Sequence, residues 1–107
     1  MNYPVVITPS AKADIFEINT WLLENNPVAA ENWLWQISRA VSSLSKFPER
    51  CPVSEESKAF DVTVRQLLCG KRPYVYRILF SIFEGKVFIL RIRSTRQRPL
   101  IDEANDD

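Results

Sequence analysis

Residues 62–93, VTVRQLLC-GKRP-YVYRILFSIF-EG-KVFILRIR, decide the fold of this chain. Three runs rich in apolar, β-branched and aromatic residues follow one another, which is the pattern of β-strands. The pair Glu84-Gly85 separates the second run from the third, and a two-residue break of this kind predicts a tight hairpin. Gly70 to Pro73 forms the other turn. The stretch predicts an antiparallel meander of three strands, over residues 62–69, 74–83 and 86–93.

The N-terminal half begins with one strand and continues as helices. Residues 3–8, YPVVIT, are typical of a short strand, and Ser10 is a favourable N-cap for the helix that follows. Residues 11–25 have apolar side chains at helical spacing. That helical face consists of Ala11, Ile15, Ile18 and Leu22.

A second helix is predicted from Pro27 to Lys46, with Asn26 as its cap and Pro27 at its first position. Its apolar residues are spaced alternately by four and three positions, so they form a seam along one side of the helix. The seam consists of Ala30, Leu34, Ile37, Val41 and Leu44. The order β-α-α-β-β-β predicts an α+β fold, in which the helical hairpin packs on one face of an antiparallel sheet.

Basic residues are concentrated in the C-terminal third of a chain whose net charge is only +1. Residues 65–98 hold nine basic residues and one acid, a balance of +8, whereas residues 1–64 carry −3 and residues 99–107 carry −4. A positive field of this kind attracts nucleic acid or an acidic protein partner. The basic residues are Arg65, Lys71, Arg72, Arg77, Lys86, Arg91, Arg93, Arg96 and Arg98.

Composition excludes several kinds of site. The chain has no histidine, which removes His-based catalysis and almost every zinc pattern, and its two glycines cannot form a glycine-rich phosphate loop. We therefore expect no metal and no cofactor. The two cysteines indicate a reducing compartment. We expect no signal peptide and no membrane span, because the first residues lack a basic-then-apolar pattern and no apolar run approaches about 18 residues. We expect a soluble cytoplasmic protein with one domain, residues 1–98, and an acidic tail, residues 99–107. Residues 48–61 are expected to be a polar loop that crosses one end of the sheet.

Alternation along the hairpin assigns its side chains to two faces. Tyr76, Ile78 and Phe80 share a face that is expected to meet the helices. Arg77 projects from the middle of the opposite, partly open face, where an arginine requires water, a carboxylate or a ligand. Parity puts Ile92 on that open face too, and puts Arg91 on the helix side, where we expect it to bind an acid such as Asp14 or Glu17.

This chain resembles the RelE/ParE superfamily, the toxins of type II toxin–antitoxin modules that were long labelled plasmid stabilisation proteins. The resemblance rests on the element order, the YRILF run at residues 76–80 and the basic cluster at residues 92–98. FPERCP at residues 47–52 and VRQLLCGKRPYVYRILF at residues 64–80 are similar to segments of many members. The resemblance covers residues 3–98.

The resemblance implies a bacterial growth inhibitor that is neutralised by a cognate antitoxin, usually an acidic protein. It leaves two targets open, because ParE-like members poison DNA gyrase and RelE-like members cut mRNA on the ribosome. If the chain is RelE-like, the resemblance implies catalytic roles for Arg65, Arg77, Arg93 and Arg96. Residues expected to bind a partner or nucleic acid are Arg65, Lys71, Arg72, Arg77, Arg93, Arg96 and Arg98.

Two departures from RelE-like members favour the gyrase target. Ser94 stands where many relatives carry a histidine, and the chain ends in LIDEANDD without the helix that carries a tyrosine. The long helical hairpin is also more ParE-like. A third possibility is a non-catalytic nucleic-acid-binding module, since basic residues alternate with aromatic side chains that could stack on bases. Those aromatic residues are Tyr74, Tyr76, Phe80, Phe83 and Phe88.

Overall fold

The predicted element order is confirmed by the computed structural model, which describes residues 2–96. Gln97, Arg98 and the acidic tail lie outside the described residues, and so does the predicted domain boundary at residue 98. Two short 3₁₀ helices, Pro48–Arg50 and Glu55–Ala59, lie in the loop before the meander. The main elements are β1 Val5–Ile7, α1 Pro9–Asn25, α2 Pro27–Ser43, β2 Arg65–Lys71, β3 Tyr74–Phe83 and β4 Lys86–Ser94.

The first helix starts earlier than predicted, because its cap is Thr8 and not Ser10. The Thr8 hydroxyl accepts the Ala11 N–H at 3.3 Å and donates to the Ile89 carbonyl at 2.7 Å. A side-chain oxygen at this position satisfies one of the free N–H groups of the first turn. Thr8 therefore caps α1 and also fixes its start against β4.

The second helix has the predicted cap but a different buried face. The Asn26 Oδ1 atom accepts the Ala29 N–H at 3.1 Å. Trp33 lies in the core, whereas Leu34 is 41% exposed. Both positions are one helical turn from Ala30 and Ile37, so spacing alone did not separate them. The helix ends at Ser43 instead of Lys46.

The sheet has four strands in the order β1-β4-β3-β2. The meander β2-β3-β4 is antiparallel as predicted, but β1 runs parallel to β4, so the sheet is mixed. The predicted hairpin turn is confirmed. Glu84 and Gly85 both have positive φ, 51° and 76°, as a two-residue hairpin of this type requires.

One face of the sheet, here called the helix face, contacts α1 and α2 and forms the main core. Trp33 of α2 meets Tyr76 of β3 edge to face, with ring centroids 5.4 Å apart. Burial of such large apolar side chains is the main favourable term in folding. The sheet residues of this core are Cys69, Tyr76, Ile78, Phe80, Val87, Ile89 and Ile92. The other face, here called the open face, has a smaller cluster of Val64, Leu79 and Leu90.

A β-bulge reverses the predicted faces at the end of β4. Phe80 pairs with Ile89 but Leu79 pairs with Arg91, so Leu90 is the extra residue. As a result, Ile92 lies in the helix-face core and not on the open face as predicted, and Arg93 lies on the open face.

The predicted ion pair of Arg91 is confirmed, and its partner is Asp14 of α1. The Asp14 carboxylate accepts hydrogen bonds from Arg91 Nε at 2.7 Å and from the Ile92 N–H at 2.9 Å. A buried carboxylate is tolerated when its oxygens have donors of this kind. This contact ties the middle of α1 to β4 just beyond the bulge.

Candidate functional site

The meander brings two of the predicted site arginines together on the open face. Arg77 of β3 and Arg93 of β4 are directly opposite each other in the antiparallel register. Leu68 of β2 lies on the other side of Arg77 in the same row. Like charges at this spacing repel each other unless counter-charges are present. Arg93 is only 2% exposed and the Arg77 side chain 12%, whereas Leu68 is 57% exposed, so the two arginines are largely removed from water and the row ends at the surface.

Arg77 has its counter-charge within the chain. Its guanidinium Nη2 donates to a carboxylate oxygen of Glu56 at 2.5 Å, and its Nε donates to Gln66 at 3.2 Å. The Glu56 side chain is 0% exposed and that of Arg77 is 12% exposed. An ion pair removed from water in this way is expensive to separate. A mid-strand arginine was expected to contact water, a carboxylate or a ligand, and Arg77 contacts a carboxylate.

Glu56 reaches Arg77 because the loop before β2 runs along the edge of β2, in addition to crossing one end of the sheet as predicted. The Gln66 N–H donates to the Pro52 carbonyl at 3.0 Å, and Val53 forms an isolated β-bridge with Arg65. The loop thus follows the outer edge of β2, and its second 3₁₀ helix, Glu55–Ala59, carries the buried Glu56.

Arg65 also holds the loop in place, through hydrogen bonds to two loop carbonyls. Its Nη1 donates to the carbonyl of Cys51 at 2.7 Å and to that of Glu49 at 3.2 Å. Each bond satisfies a carbonyl of an irregular segment that has few backbone partners. The side chain holds the loop against the edge strand, away from the row of Arg77 and Arg93.

The remaining predicted cations cluster at one end of the sheet and are exposed. Lys71, Arg72 and Arg96 are all solvent-accessible, and the predicted contribution of Arg98 lies outside the described residues. A concavity of about 530 Å³ opens on this end beside the open face. Its lining combines cations with apolar side chains: Leu68, Arg72, Pro73, Val75, Thr95 and Arg96.

The tyrosine phenols and the Cys69 thiol lie on the helix face, so Glu56 is the group beside the arginine row that could transfer a proton. Tyr3, Tyr74 and Tyr76 all contact the helix-face core. Burial raises the pKa of the Tyr76 phenol, Tyr74 raises it further, and Arg96 opposes the shift. Burial also raises the pKa of the Cys69 thiol. The Tyr76 phenol and the Cys69 thiol are therefore protonated at neutral pH and are donors, not bases.

The predicted aromatic platform for bases is not formed on one surface. Tyr76 and Phe80 are buried against the helices, whereas Phe83 is exposed at the hairpin end of β3. Residues 2–96 also contain no group of three or more Cys, Asp or Glu that could hold a metal ion. No helix within this described part is long and apolar enough to cross a lipid bilayer.

Sequence reasoning missed Glu56. Its loop contains four acidic residues, Glu49, Glu55, Glu56 and Asp61, and nothing in their spacing separates one from another. A mid-strand arginine signals that an acid is nearby, but only the path of the loop decides which acid it is.

Comparison with known proteins agrees with this fold. A family model described as the ParE toxin of the type II toxin–antitoxin system, parDE, matches residues 5–99. A protein named Toxin RelE2 from Caulobacter vibrioides is 33% identical over 89 residues, which is 83% of this chain and 91% of that protein. A solved structure titled chromosomal ParDE TA system from P. aeruginosa shares the fold with a TM-score of 0.67 at 20% identity, over 86% of this chain and 95% of that one. This chain belongs to the ParE toxin family, within the RelE/ParE superfamily of type II toxin–antitoxin toxins.

Proposed function

We propose that this toxin inhibits bacterial growth by binding DNA gyrase through a protein–protein contact. The observation that carries the proposal is the ion pair between Arg77 and Glu56. Arg77 is the residue that the resemblance matches to the arginine of the RelE-like YR motif. In this chain its guanidinium is bound to a fully buried carboxylate, so an RNA phosphate would have to displace Glu56 first.

The positions of the tyrosines support the same proposal. Cutting RNA through the 2′-hydroxyl requires a group that removes a proton and a group that supplies one. The three tyrosines of this chain contact the helix-face core, on the other side of the sheet from Arg77 and Arg93. No tyrosine is therefore placed to transfer a proton at a phosphate held by Arg77 and Arg93, and this favours a toxin that acts by binding a protein.

The helical hairpin offers a surface for such a partner. Phe16 of α1 and Val28 and Trp35 of α2 are each about 70% exposed, and Trp35 lines a shallow concavity with Glu31 and Leu34. Large apolar side chains in contact with water mark interaction surfaces more often than chance. We assign the gyrase contact to this exposed side of the hairpin.

The family also implies a cognate antitoxin, and we propose that it is acidic. The exposed cations Lys71, Arg72 and Arg96 would attract such a protein and raise its association rate. Gyrase acts inside the bacterial cell, so we propose a cytoplasmic location for the toxin.

A RelE-like ribosome-dependent endonuclease is the alternative, and one observation favours it. Arg77 and Arg93 lie opposite each other on adjacent strands, and two arginines at this spacing can stabilise the charge that develops on a phosphate. This function requires the Glu55–Ala59 segment to move off Arg77 when RNA binds.

Two readouts distinguish the targets, one with purified protein and one in bacteria after inducible expression of the toxin. Purified toxin is added to gyrase and relaxed plasmid, and supercoiling is followed on gels. In parallel, mRNA from arrested cells is mapped by primer extension. We expect loss of supercoiling with intact mRNA. Normal supercoiling together with mRNA cuts at ribosomal A-site codons would replace gyrase with the ribosome.

The hairpin assignment has its own matched pair of variants. Trp35→Ser removes an exposed anchor and is expected to weaken gyrase inhibition about tenfold. Phe83→Ser changes a similarly exposed aromatic residue at the β3–β4 turn and is expected to leave inhibition unchanged. Equal inhibition by both variants would move the contact away from α2.

A further inference from the structure

The two helices expose a strip of side chains on the side opposite their buried residues, here called the outer strip. Phe16 and Leu23 lie nearly two turns apart on α1, and Val28 and Trp35 lie nearly two turns apart on α2. Each pair therefore follows one side of its helix, and all four side chains are more than half exposed. The exposed residues of the outer strip are Lys12, Phe16, Thr20, Leu23, Val28, Asn32, Trp35 and Arg39.

The outer strip is symmetric about the turn between the helices. α1 and α2 contact each other and are joined by Asn26 alone, so they run antiparallel. Positions that are equally far from the junction of Asn25 and Asn26 then lie at about the same level of the hairpin. The pairs with this relation are Leu23 with Val28, Phe16 with Trp35, and Lys12 with Arg39. The strip thus has apolar pairs along its length and a cationic pair at the end away from the turn.

The charges of the hairpin are divided between its two ends. Lys12 and Arg39 are exposed at the end away from the turn, whereas Glu24 and Glu31 are exposed close to the turn. A second copy stacked on the strip in the same direction would place cations against cations. A second copy turned end over end, about a two-fold axis that crosses the helices, places the cations of each copy against the acids of the other. The charges therefore favour the antiparallel stack.

The same rotation places Trp35 of each copy on a concavity of the other. The axis crosses α2 midway between Val28 and Arg39, so position 35 of one copy comes to the level of Asn32 in the other. A concavity of about 420 Å³ lies at this level, and its lining is Glu31, Asn32, Leu34 and Trp35. A two-fold interface requires such reciprocity, because the same patch serves both copies. An indole that leaves water at the centre of a contact is a typical interface anchor.

The size of the outer strip predicts a weak dimer. Each helix has 17 residues, and two helices about 25 Å long and about 10 Å wide lie side by side. The contact therefore covers about 500 Å² of each copy, or about 1,000 Å² in total, which is at the low end for specific interfaces. A contact of this size forms and separates readily.

We propose that the outer strip is a self-association surface, on which a second copy of this toxin docks antiparallel with Trp35 of each copy in the concavity of the other. The four helices then form one layer pair between two sheets. The self-association does not depend on gyrase as the target. If gyrase binds the same side of the hairpin, the two contacts exclude each other and the dimer is the inactive form; this consequence alone rests on the proposed function.

Sedimentation equilibrium of the purified full-length toxin tests the proposal, over a range from about 1 µM to about 500 µM that suits a weak interface. We expect the average mass to rise from that of a monomer toward twice that value. Trp35→Ser is expected to weaken the association at least about tenfold. Phe83→Ser changes an exposed aromatic residue at the β3–β4 turn and is expected to leave the association unchanged.

Charge reversal tests the direction of the stack. Arg39→Glu and Glu31→Arg each create like-charge contacts across the axis, twice in every dimer, and are expected to weaken self-association about tenfold. An equimolar mixture of these two variants restores opposite charges at both contacts, so it is expected to associate as tightly as the wild type. Lys86→Glu reverses an exposed charge at the β3–β4 turn and is the control that is expected to dimerise normally.

Three results would overturn the proposal. A toxin that stays monomeric at the highest concentration would leave the strip to a different protein. Dimers that Trp35→Ser leaves intact would form through another surface. A mixture of Arg39→Glu and Glu31→Arg that associates no better than either variant alone would exclude the antiparallel stack. Circular dichroism checks that each variant is folded, and since every measurement uses the toxin alone, none of these results decides whether gyrase is the target.

Discussion

The arginines of the open face and the cations at the sheet end differ in what they contact, although they are close in the sequence. Arg77 binds the buried Glu56, Arg65 binds two loop carbonyls, and Arg93 is buried. Arg72 and Arg96 instead face solvent around two concavities. A basic stretch of sequence thus contains one group of side chains that holds the fold together and another that is available to partners.

This difference shows why a charge count along the sequence overstates the field at the surface. The balance of +8 over residues 65–98 ignores acids that other segments bring in. Glu56 neutralises Arg77 from the loop, and Asp14 neutralises Arg91 from α1. The positive field that a partner meets therefore comes mainly from the sheet end.

The largest expected effect comes from removing the counter-charge of Arg77. Glu56→Gln leaves the guanidinium buried beside a neutral amide, and breaking one half of a buried ion pair typically costs about 3–5 kcal/mol. Urea denaturation measures the change in the free energy of unfolding.

Glu55→Gln is the matched control, since Glu55 is the exposed neighbour of Glu56 on the same 3₁₀ helix. We expect its free energy of unfolding to stay within about 0.5 kcal/mol of the wild type. Equal stability of both variants would mean that the ion pair does not hold the loop on the sheet.

The second expected effect concerns the other internal ion pair. Asp14→Ala removes the acceptor of the Ile92 N–H and the partner of Arg91, and we expect a loss of about 2–3 kcal/mol, mostly from the buried N–H. The Arg91 side chain is about one-third exposed, so water solvates it in the variant and the loss of the ion pair itself adds little to the change in stability. Thermal or urea unfolding checks this, with Glu24→Ala on exposed α1 surface as the control. A loss below that of Glu24→Ala would contradict the role of Asp14.

A smaller effect is expected at alkaline pH. Burial raises the pKa of both the Cys51 and Cys69 thiols, so the folded protein holds these protons to a higher pH than the unfolded chain does. Their contribution is full below the unfolded thiol pKa of about 8.5 and is lost as the pH rises through the folded pKa. Urea unfolding between about pH 7 and about pH 9.5 measures the decline. The double variant Cys51→Ala/Cys69→Ala should show a shallower decline, and an unchanged slope would refute the assignment.

The smallest effect on stability is expected at the sheet end. Arg72→Gln and Arg96→Gln change exposed side chains for which no ion pair is present within residues 2–96. The free energy of unfolding should change by less than about 0.5 kcal/mol for each. A loss comparable to that of Glu56→Gln would remove the distinction between the two groups of cations.

The sequence was sufficient to predict the order of the main helices and strands, because periodicity and turn chemistry are local; the two 3₁₀ helices in the loop at residues 48–61 were not predicted. The β3–β4 hairpin was predicted from Glu84-Gly85, and the cap at Asn26 from the proline that follows it. The bulge at Leu90 could not be predicted, since an extra residue leaves no mark in an apolar run. For that reason Ile92 was placed on the wrong face.

The site was less predictable than the fold because its contacts are long-range. Arg91 was predicted to bind an acid such as Asp14 or Glu17, since helical and strand parity limit the choice of partners, and the partner is Asp14. The partner of Arg77 was not predicted, because it comes from an irregular loop with several acids. The parallel pairing of β1 with β4 depends on where the two helices return the chain to the sheet, and the periodicity of the sequence does not predict that position.

We propose that Arg77 stabilises the fold through Glu56 and does not donate to RNA. The double variant Glu56→Leu/Arg77→Met replaces the buried pair by apolar side chains of similar size, a change that is often close to neutral for stability. Growth arrest by this variant, measured alongside its urea unfolding, is the most direct test. We predict a folded protein that still arrests growth as the wild type does. A folded double variant whose toxicity falls about 10²-fold or more, as expected for loss of a catalytic donor, would show that Arg77 acts on RNA.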